Sequence, residues 1–258
     1  VFEFSLLGKR YVLGAVTSQF VRAIWDTSVF TVIAVALETV LGMIIALALN
    51  TEFRGRGMMR AAMLVPWAVI TTVSARIWEW MLQPTRAGLF NAVGSRLGFT
   101  DGQTDFFGSP ALQLPSMIAM DVWKTTPFMA LLLLAGLSTI PSELYEAAEV
   151  DGAGWWRKFA HITLPMLSPV IFFNLLLETI HAFQVFTSAF VVSSPNPGSP
   201  ADATLVYTLY LYLRGFADFR MGYASAMAWT LLVAIALVTL LLFRTSRFWV
   251  HYADGGDR

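Results

Sequence analysis

The chain has 258 residues, of which 57% are hydrophobic and 13% are charged, and its formal net charge is zero. Because about 25% of the residues of a soluble domain are charged, this composition argues against a soluble protein, and the zero net charge argues against a nucleic-acid partner. The chain contains no cysteine, which excludes disulfides and cysteine metal sites.

Five apolar windows follow one another along the chain, and each is long enough to cross a membrane, which takes roughly 20 residues. They lie at 27–49, 61–82, 115–140, 164–192 and 222–243. Backbone groups in lipid must satisfy their own hydrogen bonds, so each window predicts a helix. The sequence therefore predicts an all-α, polytopic membrane bundle with five spans, preceded by an outer amphipathic segment at 1–26.

The links between these windows differ in basic content. One set comprises 50–60, 141–163 and 244–258, and the other comprises 1–26, 83–113 and 193–221. The first set carries eight Lys and Arg residues, whereas the second carries seven over a greater length. Since positively charged links remain on the cytoplasmic side, we expect the first set to be cytoplasmic and the second to face outward.

The link between the third and fourth windows contains the stretch EAAEVDGAGWWRKFAHITLP, which runs from Glu146 to Pro165. Ser142 is predicted to cap a helix that continues to Val150 and stops at Asp151-Gly152. A second short helix is expected to carry Trp155, Phe159 and Ile162 as one apolar stripe. Small residues beside aromatic ones are typical of a helix that docks in a partner's groove. The alternative is an amphipathic loop that rests on lipid headgroups.

The spacing of this stretch resembles the EAA loop of bacterial ABC importer permeases. It has Glu146-Ala147-Ala148, three spacers, Gly152, nine spacers, Ile162, one spacer and then Leu164-Pro165. The Asp151-Gly152-Ala153 core is similar to that of the sugar-importing members. ETVLGMIIALALN and VWKTTPFMALLLLAGLSTIP also resemble spans of maltose-type permeases, and RFWVHYADGG resembles the end of the first permease of a pair. This family usually has six spans or more, so we expect a further span before Val1.

The resemblance implies a fold of the type I ABC importer kind, with a transmembrane domain at 27–258 and coupling helices at 142–162. Two permease chains would form the pore in the bacterial cytoplasmic membrane, and an extracytoplasmic binding protein would deliver the sugar. Two partner ATPases would bind ATP and Mg, and each would receive one EAA loop. The residues implied in coupling are Glu146, Ala147, Ala148, Asp151, Gly152, Ala153, Trp155, Phe159, Leu164 and Pro165. The chain has no G-x-x-x-x-G-K-[ST] motif, so it is predicted to be a transport subunit and not an enzyme.

Polar residues inside spans mark transport pathways. The candidate substrate-binding residues are Trp67, Thr71, Asp121, Lys124, Thr125, Phe128, Glu178 and Gln184. All except Gln184 also match substrate-facing positions of the similar permeases. An alternative is that Asp121 and Lys124, at i and i+3, only neutralise each other, and that Trp67 only packs.

The function predicted from these features is import of a di- or oligosaccharide. Glycerol phosphate or a glycerophosphodiester is the alternative substrate, because Lys124 could face a phosphate. An ion-coupled secondary transporter would use Asp121, Glu178 and His181 as proton sites, and a membrane-embedded enzyme is a third possibility. The EAA spacing favours the ATP-driven importer, because the other classes have no use for a docking loop of this kind.

Overall fold

The computed structural model describes residues 2–6, 9–13, 18–99, 101–193 and 205–251. The α-helices are α1 (Ser18–Asn50), α2 (Arg56–Met63), α3 (Val65–Ala68), α4 (Thr71–Met81), α5 (Leu89–Arg96), α6 (Pro110–Leu137), α7 (Ser142–Val150), α8 (Trp155–Lys158), α9 (Leu164–Phe183), α10 (Thr187–Val192), α11 (Tyr207–Tyr212) and α12 (Met221–Ser246). Two π-helical turns, Phe159–Thr163 and Leu213–Ala217, follow α8 and α11. Strands β1 (Phe2–Leu6) and β2 (Lys9–Leu13) form an antiparallel hairpin with Phe2 opposite Leu13.

Within the described ranges, four helical segments are long and apolar enough to cross a membrane. They are Ser18–Asn50, Pro110–Leu137, Trp155–Val192 and Met221–Ser246. A fifth candidate is the pair Arg56–Ala68 and Thr71–Met81, which is bent by 91°. These segments overlap the five predicted windows, so the predicted helical membrane bundle is confirmed.

The second span is broken, which its hydrophobicity alone did not reveal. Helix α3 contains Pro66 and ends at Ala68, and Val69 adopts an extended conformation with φ −71° and ψ 134°. An extended residue cannot continue the α-helical hydrogen-bond ladder, so the chain changes direction before α4 begins at Thr71.

Three other boundaries differ from the predictions. Helix α1 begins at Ser18 instead of residue 27, and an ion pair between Arg22 and Asp26 (3.5 Å) joins successive turns of this extension. The fourth span is interrupted at 184–186, between α9 and α10. The predicted outer links contain the short helices α5 and α11, and the part of the last outer link at 194–204 lies outside the described residues.

The chain divides into two compact units, and the first comprises residues 1–31, 75–118 and 183–229. Its buried residues include Phe30, Tyr207 and Tyr210. The Tyr207 backbone N–H donates to Thr27 Oγ1 (2.8 Å), and the Tyr207 hydroxyl donates to the Met227 carbonyl (3.0 Å). The second bond satisfies the hydroxyl of the buried ring, as buried tyrosines require, and the first satisfies its backbone N–H.

The second unit comprises residues 32–74, 119–182 and 230–258. Its apolar core is contributed by α1, α6, α9 and the link that follows α6, and it consists of Ala46, Leu49, Met129, Leu133, Leu134, Leu137, Ile140, Leu167 and Ile171. Glycines allow these helices to approach closely. A Cβ at Gly42 would lie 2.7 Å from Met129 Cγ, and one at Gly136 would lie 2.6 Å from Leu167 Cδ1. Small residues at helix contacts of this kind are typical of membrane bundles.

Candidate functional site

Seven of the eight residues predicted to bind substrate belong to the second unit, on α3, α4, α6 and α9. Thr71 is the partly buried first residue of α4. Gln184 belongs to the first unit and is exposed in the break that follows α9. The remaining six residues form two groups, one aromatic and one charged.

The aromatic group consists of Trp67 on α3 and Phe128 on α6. Their rings are stacked, with centroids 5.2 Å apart and planes inclined by 10°. Trp67 keeps 48% of its surface exposed, so the stack presents an open aromatic face as well as packing.

The charged group surrounds Lys124 and Asp121, one turn of α6 from Phe128. The Lys124 ammonium donates to the carbonyl oxygens of Val69 (2.5 Å) and Trp67 (3.4 Å). No ion pair joins Lys124 to Asp121 among the described residues, although their charges interact at longer range. The lysine is thus engaged by main-chain carbonyls and makes no direct contact with Asp121, and the alternative in which the two charges only neutralise each other stays a prediction.

Glu38 belongs to this charged group, although it was not among the predicted substrate-binding residues. Its side chain is 1% exposed, and Thr125 Oγ1 forms hydrogen bonds with the Glu38 carboxylate and with the Asp121 carbonyl. The signal was present, because Glu38 is the only charged residue in the window 27–49. Charged residues at such positions are costly in lipid and mark functional sites by default.

Glu38 extends the acidic part of this group to three carboxylates from three helices. Asp121 interacts electrostatically with Glu38, and Glu178 interacts with both Glu38 and Asp121. Glu178 is 4% exposed. A carboxyl group accepts hydrogen bonds when it is ionised and also donates one when it is protonated, so these three groups can bond to the hydroxyl groups of a ligand.

The EAA segment (142–165) contains a sharp turn between α7 and α8. Gly152 has φ +74°, a left-handed conformation that glycine adopts without strain. The Gly152 N–H donates to the Glu149 carbonyl (3.0 Å), and the Ala153 N–H donates to the Ala148 carbonyl (2.8 Å). The predicted helix end at Val150 is correct. The predicted cap is wrong, because Ser142 is the first helical residue and Pro141 occupies the N-cap without a side-chain bond.

Aromatic residues continue along the EAA segment after this turn. The rings of Trp155 and Phe159 stack with centroids 5.5 Å apart, and Trp155 is 57% exposed. The predicted single α-helix is instead α8 followed by a π-helical turn, so Ile162 is displaced from a regular i, i+7 stripe. A small pocket here is lined by Ala148, Ala153, Arg157, Lys158, His161 and Ile162.

The other residues predicted for coupling are distributed along the same segment. Glu146, Ala147 and Asp151 are exposed, whereas Leu164 and Pro165 begin α9. The structure thus collects small residues, aromatic rings and a pocket on one exposed helix-turn-helix between two spans.

These features define a polytopic helical membrane protein with polar groups inside its spans and an exposed small-residue turn between two of them. The chain belongs to the family of inner membrane components of binding-protein-dependent transport systems, whose model matches residues 38–252.

Two relatives and one solved structure illustrate this membership. A probable ABC transporter permease protein, YesP of Bacillus subtilis, is 41% identical over 88% of this chain and 72% of its own length. The trehalose/maltose transport system permease protein MalF of Thermococcus litoralis is 39% identical over 95% of this chain and 81% of its own length. A bacterial ABC transporter involved in import of the acidic polysaccharide alginate has a similar chain, with a TM-score of 0.81, 25% identity and coverage of 90% and 80% of the two chains.

The recognition of this chain as an ABC importer permease is therefore confirmed. The chain is a multi-pass membrane protein and a transport component.

Proposed function

We propose that this chain is one of two permease subunits of an ATP-driven importer and forms half of the pathway for a di- or oligosaccharide. The observation that carries the proposal is the stacked Trp67–Phe128 pair beside the buried polar groups of α1, α6 and α9. The trehalose/maltose specificity in the name of a relative supports the same substrate class.

The chemistry of this site suits a polyhydroxylated ring. An open aromatic face can pack against the C–H side of a sugar, and such contacts contribute about 0.5–1.5 kcal/mol beyond area burial. Hydroxyl groups can donate to Asp121 and Glu178, and Thr125 offers a further polar partner. Phosphate sites are built from several cationic or N–H donors, whereas this group has one lysine beside three acidic side chains, which argues against the glycerol phosphate alternative.

The proposed partners follow from two features of the chain, its lack of a nucleotide-binding motif and its exposed EAA segment. It has no phosphate-binding P-loop motif, so two partner ATPases would bind ATP and Mg. The EAA segment, within a transmembrane domain at 27–258, would dock one of these ATPases on the cytoplasmic side. A second permease would complete the pore in the cytoplasmic membrane, and an extracytoplasmic binding protein would deliver the sugar to the outer links.

The substrate proposal is tested by uptake of labelled maltose or trehalose into liposomes that contain the complete complex, supplied with its binding protein and with ATP inside. We expect uptake that requires ATP. Replacing the aromatic face by Phe128→Ala should lower uptake about threefold to tenfold. Leu131→Ala, a control on the same helix at a 37% exposed position, should have little effect. Uptake driven by a proton gradient without ATP would contradict the proposal.

The docking proposal is tested by placing a bulky side chain at the glycine turn. Gly152→Trp should uncouple ATP hydrolysis from uptake or prevent assembly with the ATPase, while the spans still insert. The reasons are that φ +74° disfavours any side chain and that the indole would occupy the docking face. Gly55→Trp is the matched control, because Gly55 also has a positive φ (+95°), is exposed in open space and lies outside the EAA segment. Normal coupled uptake by Gly152→Trp would exclude this docking site.

A further inference from the structure

The break in the second span leaves main-chain carbonyls without the partners that a continuous helix would supply. In an uninterrupted α-helix, the carbonyls of Trp67 and Val69 would accept from the N–H groups four residues later. The chain bends by 91° here, and no backbone N–H of the described residues is donated to either carbonyl. Unsatisfied carbonyls are costly inside a membrane, where no water replaces the lost donors.

Lys124 supplies the missing donors from the neighbouring helix α6. Its ammonium lies 2.5 Å from the Val69 oxygen and 3.4 Å from the Trp67 oxygen. A cation is favoured at a helix C-terminus, because the last carbonyls carry the negative end of the helix dipole. The charge of Asp121, one turn earlier on α6, also attracts the ammonium.

The same two carbonyls belong to the segment that presents the Trp67 ring. Phe128 stacks on this ring and lies one turn beyond Lys124 on α6. Lys124 and Phe128 therefore hold the broken segment at two points, one through the main chain and one through the side chain.

We propose that Lys124 is a positioning residue, which caps the broken second span and thereby fixes the aromatic face of Trp67 and Phe128. Its contribution to transport depends on the proposed sugar pathway, but the cap itself does not require any substrate. Two of the three ammonium N–H groups are directed to main-chain carbonyls, so the lysine acts through the shape of the site and not as a substrate ligand. This assignment differs from the role that the sequence pattern predicted for Lys124.

The test measures local opening near the break in the purified complex, without sugar and without ATP. Ser74→Cys introduces one thiol into a chain that has no cysteine, at a position that is 1% exposed and follows the break. Labelling of a buried thiol requires local opening. Lys124→Met keeps most of the side-chain length but removes both hydrogen bonds. It should therefore raise the labelling rate at least about tenfold, since charge-assisted bonds of this kind are each worth about that factor or more.

Two controls make this result specific. Lys124→Arg retains a cation with several N–H donors, so it should restore most of the protection and most of the uptake. Ala46→Cys, which is fully buried in the core of the same unit, should be labelled at the same rate in every Lys124 variant. A rise at both thiols would mean general unfolding and would overturn the proposal.

The remaining outcomes separate the cap from direct substrate contact. Loss of uptake by Lys124→Met with an unchanged labelling rate at Ser74→Cys would overturn the proposal and assign Lys124 to the substrate. If Lys124→Met does not insert, Lys124→Gln takes its place, because it retains one donor group. Its labelling rate should exceed that of the parent with Lys124, and an unchanged rate would again overturn the cap. If labelling rises as expected but the parent complex takes up no sugar, the cap stands and the proposed transport function fails.

Discussion

Two adjacent threonines on α6 have the same side chain and different surroundings. Thr125 Oγ1 bonds to the buried carboxylate of Glu38, and this is the one side-chain bond described for that carboxylate. Thr126 Oγ1 is buried without a partner among the described residues. Removing the partner of a buried carboxyl group is costly, whereas removing a buried hydroxyl that has no partner is not.

This contrast predicts opposite effects for two isosteric substitutions. Thr125→Val should lower the free energy of unfolding by about 1–3 kcal/mol, because the Glu38 carboxylate loses its donor. Thr126→Val should be neutral or stabilising by up to about 1 kcal/mol, because it removes an unsatisfied buried hydroxyl. Thermal unfolding of the two variants in the same detergent provides the comparison. Equal destabilisation by both variants would show that the Glu38 bond has no special weight.

At the scale of an element, an ion pair ties α7 to α8 across the glycine turn. The Lys158 ammonium lies 2.6 Å from Glu149 Oε1. The hydrogen bond from Lys158, together with its charge, lowers the pKa of Glu149 below its usual value of 4.5. Because the folded pKa is lowered, the stabilisation is complete above the ordinary carboxyl pKa and is lost only as the pH falls through the lower folded value.

Two consequences of this pair can be measured by hydrogen exchange of the segment 142–158. After correction for intrinsic rates, the pair should leave its protection constant between pH 6 and 8, because Glu149 stays ionised throughout this range. Lys158→Glu should reduce the protection, because it places two like charges across the turn, and the swapped variant Glu149→Lys/Lys158→Glu should restore part of it. A swapped variant no better protected than Lys158→Glu would show that the pair does not hold the turn.

At the scale of the whole molecule, the distribution of Lys and Arg predicts which links face the cytoplasm. The bias is about twofold in density, and the proposed docking of an ATPase at the EAA segment requires the same orientation. The absence of cysteine makes this orientation directly testable.

Single cysteines at two exposed positions should therefore react from opposite sides of the membrane. Phe99, in the predicted outer link, is 82% exposed, and Val150, at the end of α7, is 89% exposed. In intact cells an impermeant maleimide should label Phe99→Cys, whereas Val150→Cys should be labelled only after the membrane is opened. The reverse pattern would invert the topology and would remove the basis for ATPase docking at the EAA segment.

Hydrophobic length was sufficient to predict the spans, because a helix in lipid must be apolar over roughly 20 residues wherever it stands in the bundle. The turn at Gly152 was also predictable from local sequence, since a glycine after a short helix indicates a left-handed cap regardless of tertiary context. The boundaries were less predictable. The extension of α1 to Ser18 includes Arg22 and Asp26. Because these residues are charged, this stretch was predicted to be a link and not part of a span.

Composition, the apolar windows and the EAA spacing by themselves determined the class of this protein, because these features depend on the solvent and on local backbone geometry. Only the tertiary structure decided the partners of its intramembrane polar groups. Lys124 stands at i+3 from Asp121 and yet donates to carbonyls 55 and 57 residues earlier in the chain, and Thr125 bonds to Glu38, 87 residues away. Such pairings depend on which helices pack together and on where a span is broken, and neither is encoded in the spacing along a single helix.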